Sequence, residues 1–258
     1  MELYVEVAGE GAAVVLVHSG ICDSRMWDPQ WGPFSAAYRT VRYDLRGYGR
    51  SPLPPGVFSH ARDLVELLDR LGIERASLVA ASFGGQVALE VAVAHPDRVD
   101  RLVLADARLP LDDWSDEVKA FGAEEDAALE RDDLDAAVEV NLRMWVDGPQ
   151  QPPGRVDPAV RAQVGRMQRR AFELQVPMWD EADDEPLVPD LAGRLHEVRA
   201  PTLAVAGELD VADFRRIAER LAREIPDARH AVVPGVAHLP SLERPAEFDR
   251  LVLGFLAG

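Results

Sequence analysis

The chain has 258 residues, and its 45 acidic against 28 basic side chains give a formal net charge of −17. This balance argues against nucleic acid and anionic membrane surfaces as partners, and we expect a small-molecule partner instead. The single cysteine excludes an internal disulfide and a cysteine-cluster metal site. Because the acidic N-terminus (Glu2, Glu6 and Glu10) does not resemble a secretory signal, and no apolar run would span a bilayer, we predict a cytoplasmic protein.

Short apolar runs alternate with helix-length amphipathic segments along most of the chain. Leu3 to Val7 alternates in polarity and predicts an edge strand, and Val14 to Val17 predicts a buried strand. Further strands are predicted at residues 40–43, 78–79, 101–104, 202–205 and 230–233. Helices are predicted after Ser59 and Ser82, and over residues 214–225 and 248–255. This alternation favours an α/β fold, with a mostly parallel twisted sheet covered by helices on both faces.

The segment 109–197 interrupts this alternation and contains no convincing strand. Its apolar residues recur at helical spacing, and Asp157-Pro158 is typical of a helix start. We therefore predict three helices that form a cap, or lid, inserted between the two parts of a core domain, residues 1–108 and 198–258. The alternative is that these helices pack on the edge of the sheet.

The pentapeptide Ala80-Ala81-Ser82-Phe83-Gly84 joins a predicted strand to a predicted helix. A serine on such a sharp turn needs small residues two positions before and after it, because the backbone is crowded there. Ala80 and Gly84 meet that need. The pattern is typical of the nucleophile elbow of serine hydrolases, with alanine in place of the usual first glycine.

A serine hydroxyl needs a base to take its proton, and the base needs an anion to orient it. Asp210 and His238 each follow a predicted strand, as Ser82 does. Because the carboxyl ends of parallel strands meet at one edge of the sheet, we expect these three side chains to converge. Asp106 also follows a strand and is the alternative candidate for the acid.

The order Ser82, Asp210, His238 resembles that of the α/β-hydrolase family. Two further segments are similar to family motifs, the loop Val17 to Ile21 and the turn Asp44 to Ser51. The resemblance implies an α/β-hydrolase fold of about seven strands, since the family's first strand is absent.

The same resemblance implies the roles of the site residues. Ser82 would be the nucleophile, His238 the base and then the acid, and Asp210 the orienting carboxylate. The backbone N–H groups of Ile21 and Phe83 would form the oxyanion hole. Within the motifs, His18 would stiffen the oxyanion loop, while Asp44 and Arg46 would support the scaffold as a turn and an ion pair.

Apolar side chains from both parts of the chain are candidates for the substrate pocket, and a mostly apolar pocket suits a neutral acyl group. They are Cys22, Trp27, Trp145, Met178, Trp179 and Leu239. Each of the aromatic residues could equally pack the cap on the core, and Cys22 could be a small buried thiol. The six histidines have no zinc-ligand spacing, and no phosphate loop is present, so we predict neither a metal nor a cofactor.

These features together predict a serine hydrolase of small or medium carboxylic esters or lactones, which works through an acyl-enzyme as a monomer or homodimer. A C–C bond hydrolase and a cofactor-free perhydrolase would use the same triad. A non-catalytic binder of small molecules is the alternative from another class. The acidic run Glu181 to Glu185 is expected to be a solvated loop.

Overall fold

A computed structural model describes residues 3–111, 113–152 and 154–258. The strands lie close to their predicted positions, and one additional pair of short strands is present. They are β1 (Val5–Ala8), β2 (Ala13–Val17), β3 (Arg39–Tyr43), β4 (Gly56–Phe58), β5 (Ala76–Ala81), β6 (Val99–Ala105), β7 (Ala182–Asp184), β8 (Thr202–Gly207) and β9 (Ala228–Val233).

Seven of these strands form one sheet in the order β1-β3-β2-β5-β6-β8-β9. Every neighbouring pair is parallel except β1 with β3 at the edge, which is antiparallel. The parallel register brings Val15 opposite Leu78 and Ala81 opposite Ala105, so the carboxyl ends of the central strands lie side by side. The prediction of a mostly parallel, seven-stranded sheet is confirmed.

The helices follow β2 in the chain and lie between and after the remaining strands of this sheet. They are α1 (Asp28–Ser35), α2 (His60–Arg70), α3 (Phe83–Ala94), α4 (Asp116–Glu130), α5 (Leu134–Asn141), α6 (Pro158–Gln175), α7 (Ala212–Glu224), α8 (Pro240–Glu243) and α9 (Pro245–Leu256). The hydroxyl of Ser59 accepts a hydrogen bond from Arg62 N at the start of α2, as its sequence predicts. Leu64 and Leu68 on α2 are completely buried.

Both faces of the sheet are covered by apolar cores. Side chains alternate along a strand, so Val15 and Val17 of β2 join one core, whereas Val14 and Leu16 join the other. Leu64 of α2 packs in the first core and Phe248 of α9 in the second. This two-sided burial explains why the central strands are continuous apolar runs.

Residues 109–197 lie between β6 and β8 and contain α4, α5 and α6. A π-helical segment, Leu142–Asp147, continues from α5. The expectation that this region has no strand was wrong, because β7 pairs in parallel with β4, with Gly56 opposite Ala182. The sequence of β7 is Ala-Asp-Asp, which lacks the apolar alternation of a strand. Its extended conformation is therefore stabilised by the pairing with β4 and not by its own sequence. In the described part of the chain, no helix combines the length and apolar character needed to cross a membrane.

Candidate active site

Ser82 lies on a strained turn between β5 and α3. Its backbone has φ +50° and ψ −116°, a conformation that L-residues adopt rarely and that costs about 1–3 kcal/mol. The turn is held on both sides, because Ser82 N donates to Ala105 O and Ser82 O accepts from the amides of Gly85 and Arg108, each at 2.9 Å. The surrounding backbone therefore keeps this serine, 9% exposed, at the end of the central strand.

Glycines allow the backbone to approach closely around this turn. A Cβ atom on Gly84 would lie less than 3.0 Å from the carbonyl oxygens of Val17 and His18. A Cβ on Gly20 would lie 3.3 Å from Cβ of Phe83. The expected need for a small residue two positions after Ser82 is confirmed, and its cause is the neighbouring loop that follows β2.

His238 and Asp210 form a buried hydrogen-bonded pair. His238 Nδ1 lies 2.8 Å from Asp210 Oδ2, and both residues are 2% exposed. Asp210 Oδ1 accepts from Val211 N at 2.7 Å, which fixes the carboxylate. A carboxylate at Nδ1 assigns the proton to that nitrogen, which leaves Nε2 free to accept a proton. This is the tautomer that a general base needs.

Two aromatic rings pack against the imidazole of His238. The ring of Trp145 lies 4.8 Å away, centroid to centroid, and that of Phe214 lies 4.6 Å away in an edge-to-face arrangement. Trp145 belongs to the π-helical segment, and such irregular turns are frequent at functional sites. The imidazole therefore packs against two rings that also contact each other, and one of them comes from residues 109–197.

Ser82 and His238 line the same cavity of about 650 Å³. Among the described residues, no hydrogen bond joins the hydroxyl of Ser82 to the imidazole of His238. In many hydrolases such a contact tightens only when substrate is bound. The structure thus brings the three residues to one edge of the sheet, and the proton transfer between two of them belongs to the proposed mechanism below.

Ile21 and Phe83 also line this cavity. In the described ranges, neither backbone amide donates to a protein acceptor. Phe83 N is the first amide of α3, where the helix dipole adds positive potential. An anion beside both amides would therefore meet unused N–H donors.

His18 supports the loop that carries Ile21. Its Nδ1 donates to Ser19 O at 2.8 Å, and its Nε2 accepts from Leu45 N at 2.9 Å. Complete burial lowers the pKa of His18, so the ring is neutral at physiological pH. The expectation that His18 stiffens this loop is confirmed by these two contacts.

The turn Asp44 to Ser51 is a support for the same loop. Asp44 accepts hydrogen bonds from the amides of Ser24 and Arg50, each at 2.8 Å. Arg46 forms its ion pair with Asp63 of α2, through two hydrogen bonds of 2.8 and 2.5 Å. These partners give both residues a scaffold role, as predicted.

Three of the six predicted pocket residues line the cavity: Trp145, Met178 and Trp179. The prediction was wrong for the other three. Cys22 and Trp27 are completely buried and Leu239 is 1% exposed, and all three pack in an apolar core. Trp27 stacks near Phe248, with ring centroids 6.1 Å apart. Nearness in sequence to a site loop does not decide which side of the loop a side chain faces.

Several polar residues that the sequence did not single out also line the cavity. Burial raises the pKa of Asp184 to about 6, lowers that of His60 to about 3 and raises that of Tyr48 to about 12. Asp184 belongs to the acidic run expected to be a solvated loop; it is exposed to solvent as expected, but it lies in β7 and not in a loop. The sequence could have indicated Gln168, because it is a polar residue within the apolar face of α6, beside Met167 and Ala171.

Comparisons with known proteins agree with this geometry. Residues 12–245 match the family model described as alpha/beta hydrolase fold. The chain is 32% identical to the "Putative carbamate hydrolase RutD" of Variovorax paradoxus, over all of this chain and 97% of that protein. It is 28% identical to the pimeloyl-[acyl-carrier protein] methyl ester esterase of Nitrosospira multiformis, over 99% and 98% of the two chains.

A similar solved structure is the enol-lactonase of Burkholderia xenovorans LB400. The TM-score is 0.82 and the identity is 25%, with 99% of this chain and 96% of that chain covered. The similarity therefore extends over the sheet, the strand-end loops and residues 109–197.

Proposed function

The chain belongs to the α/β-hydrolase fold family and is a hydrolase, and from that premise we propose that it cleaves small or medium carboxylic esters or lactones through an acyl-enzyme. One observation carries the proposal. The strained Ser82 lines the same cavity as His238, whose imidazole is hydrogen-bonded to the buried Asp210. A strained serine and a base already oriented by a carboxylate are the parts that acyl transfer needs.

In the first step, Ser82 Oγ attacks the carbonyl carbon while its proton passes to His238 Nε2. The carbonyl electron pair moves to the oxygen, and the amides of Ile21 and Phe83 donate to that oxyanion. Removing one such donor typically costs about 10²–10³ in rate. Asp210 stabilises the imidazolium and keeps its tautomer without taking the proton.

The tetrahedral intermediate then collapses, and His238 gives its proton to the leaving alkoxide oxygen. For a lactone, that oxygen stays attached to the acyl group. Water repeats the sequence: His238 takes a proton from water, the hydroxide attacks the acyl carbon, and Ser82 leaves with the proton. The products are the carboxylic acid and the alcohol from an ester, and a single hydroxy acid from a lactone.

The proposal assigns residues 109–197 as a helical cap over this cavity. Trp145, Met178 and Trp179 would contact the apolar part of the substrate, while Gln168 offers a polar contact. The carbonyl oxygen of its amide is buried and has no protein partner among the described residues. A cavity of about 650 Å³ is within the usual range for small-molecule sites and suits a small or medium acyl group.

A second candidate reaction is hydrolysis of a carbamate. The observation in its favour is the 32% identity, over the whole chain, to a relative named for that activity. The same Ser82 would attack the carbamate carbonyl, and the intermediate would be a carbamoyl-enzyme. The two candidates differ in the acyl group that is transferred, and share the machinery that transfers it.

The test is hydrolysis of short-chain p-nitrophenyl esters, a lactone and a p-nitrophenyl carbamate by the wild-type protein and by Ser82→Ala. We expect the substitution to lower kcat/KM by about 10⁴-fold or more for every accepted substrate. Ser35→Ala is the matched control, because Ser35 lies on α1, outside the cavity lining, and its hydroxyl donates to carbonyl oxygens of the same helix, Trp31 O and Gly32 O. Equal activity of Ser82→Ala and wild type would contradict the proposal.

The substrate panel also separates the candidates. Faster ester or lactone turnover supports the main proposal, and faster carbamate turnover supports the second candidate. A protein that turns over none of them, but is stabilised by one without consuming it, would contradict both and favour a binder.

A further inference from the structure

A second buried carboxyl group lies beside the pair of His238 and Asp210. Asp106 follows β6, and its side chain is completely buried and outside the cavity lining. Its Oδ1 accepts from Gly207 N at 2.8 Å. Its Oδ2 accepts from no donor among the described residues, although it is buried. A buried oxygen without a donor is costly for a carboxylate, but not for a protonated acid that itself donates.

The distances place Asp106 within reach of the triad. One carboxyl oxygen of Asp106, one of Asp210 and one ring nitrogen of His238 all lie within 4.8 Å of one another. Two carboxylates this close in a buried site repel strongly, so one of them is protonated. Asp210 has two donors, His238 Nδ1 and Val211 N, whereas Asp106 has the single donor of Gly207. The negative charge therefore stays on Asp210.

The electrostatic surroundings also favour a proton on Asp106 and the negative charge on Asp210. Burial and the charge of Asp210 raise the pKa of Asp106 well above its usual range, and Glu243 adds to the effect. The hydrogen bond from Gly207 N opposes this rise in pKa. The other ionisable group that faces Asp106 and Asp210 is His238. At neutral pH these groups together leave Asp106 uncharged.

The backbone of Asp106 is also constrained. Its φ is +44°, in the left-handed region that few non-glycine residues adopt. Asp106 N donates to Val205 O at 2.8 Å, and the side chain of Asp106 accepts from Gly207 N; Val205 and Gly207 both belong to β8. Both contacts anchor the end of β6 to the end of β8, and so they hold the carboxyl group against Asp210.

We propose that Asp106 is a positioning residue, kept as a neutral carboxylic acid whose O–H group donates a hydrogen bond to the Asp210 carboxylate. The proton stays on Asp106 throughout the reaction, so no proton is gained or lost at this pair. The bond restrains the carboxylate of Asp210 and spreads its negative charge. This inference rests on the proposed roles of Ser82, His238 and Asp210.

One consequence separates this role from a purely structural one. If Asp210 is replaced by the neutral Asn, burial still raises the pKa of Asp106, but the contribution of the Asp210 charge disappears. Asp106 then ionises at a lower pH than in wild type and supplies the negative charge near His238. An Asp106 that only anchored Gly207 would have no such effect.

The first test compares Asp106→Asn with Asp106→Leu. Asparagine can accept from Gly207 N and donate to Asp210, as the neutral acid does, so we expect kcat/KM within about threefold of wild type. Leucine can do neither, and we expect a loss of about 10- to 100-fold. Equal impairment of both variants, with melting temperatures near that of wild type, would overturn the proposal.

The second test compares Asp210→Asn with the double variant Asp106→Asn/Asp210→Asn, and stands even if Asp106→Leu fails to fold. We expect the single variant to keep residual activity that rises with pH as Asp106 ionises. We expect the double variant to be at least about tenfold slower and to lack that rise. Identical activities and pH profiles for the two variants would overturn the proposal.

A spectroscopic readout does not depend on activity. In the infrared difference spectrum of wild type minus Asp106→Asn near neutral pH, we expect the carbonyl band of a protonated carboxylic acid. A carboxylate band in its place would overturn the proposal. The failure of the proposed function is distinct from either result, since it would appear as full activity in Ser82→Ala.

Discussion

The loops at the strand ends and the segment 109–197 meet at the same cavity, but they are held in different ways. Ser82, Asp210 and His238 are less than 10% exposed; backbone hydrogen bonds fix Ser82 and Asp210 at the edge of the sheet, and Asp210 in turn holds the imidazole of His238. The inserted segment lines the cavity with Trp145, Trp179 and other side chains, and many of its ion pairs are exposed to solvent. In the proposed function, the sheet edge carries the chemistry, whereas the segment determines which substrates reach it.

The largest expected effect lies where these two regions join. Arg155 donates to Glu243 at 2.5 Å and to Gly235 O at 3.0 Å, and Glu243 in turn accepts from Ala237 N, next to His238. Arg155→Leu leaves Glu243 buried without its cation. We expect the free energy of unfolding to fall by about 3–5 kcal/mol, and kcat to fall with it. Urea denaturation and steady-state kinetics measure both.

The matched control is Arg169→Leu, on the exposed face of α6. Arg169 pairs with Asp135, whose side chain is 89% exposed, so we expect a loss of no more than about 1 kcal/mol. Similar losses for the two arginines would contradict the account of Arg155 as the link between the two regions.

Two helical glycines test the crowding at the elbow. A Cβ on Gly84 would collide with the backbone of Val17 and His18, whereas a Cβ on Gly122 of α4 has nothing within 4 Å. We expect Gly84→Ala to lower the free energy of unfolding by about 1–3 kcal/mol and to lower kcat. We expect Gly122→Ala to raise it by up to about 1 kcal/mol. A lower free energy of unfolding for Gly122→Ala, or an unchanged one for Gly84→Ala, would contradict this prediction.

Two tryptophans of the inserted segment separate substrate binding from chemistry. Trp179 is 56% exposed and lines the cavity, so we expect Trp179→Ala to raise KM while stability changes by less than about 0.5 kcal/mol. Trp145 is 8% exposed and packs on His238, so Trp145→Ala should lower both kcat and stability. Kinetics on one ester measure both variants. A fall in kcat for Trp179→Ala as large as that for Trp145→Ala would contradict the division of roles.

The smallest expected effect is a pH dependence at β7. Burial raises the pKa of Asp184 to about 6, from 3.8 for an ordinary aspartate, so the folded state binds more protons than the unfolded state between these values. The contribution of Asp184 to the free energy of unfolding is therefore fully present below about pH 4 and is lost as the pH rises through 6. His60 beside it, with a pKa of about 3, stays neutral in this window.

Asp184→Asn removes the charge and keeps an acceptor for His60 N. Relative to wild type, we expect it to raise the melting temperature above about pH 7 and to change it little near pH 4. The gain is at most about 1 kcal/mol, because solvent screens a side chain that is 37% exposed. A melting temperature that falls above pH 7 would show that the charged form of Asp184 stabilises the fold.

The sequence predicted the sheet and the three strand-end residues because each depends on local pattern. Ser82 follows a buried strand and precedes Gly84, and Asp210 and His238 follow strands in a sheet whose direction is set by its connections. Cys22, Trp27 and Leu239 were misplaced because the facing of a loop side chain depends on tertiary packing. The strand β7 was missed because its pairing with β4 bridges residues far apart in the chain.

The most direct test of the central claim is covalent labelling by an active-site-directed fluorophosphonate, followed by intact-mass measurement and peptide mapping. The account predicts one adduct, on Ser82 and absent from Ser82→Ala, with slower labelling in His238→Ala because the hydroxyl loses its base. An unlabelled Ser82 in the folded wild-type protein, or equal labelling of Ser82→Ala, would contradict it.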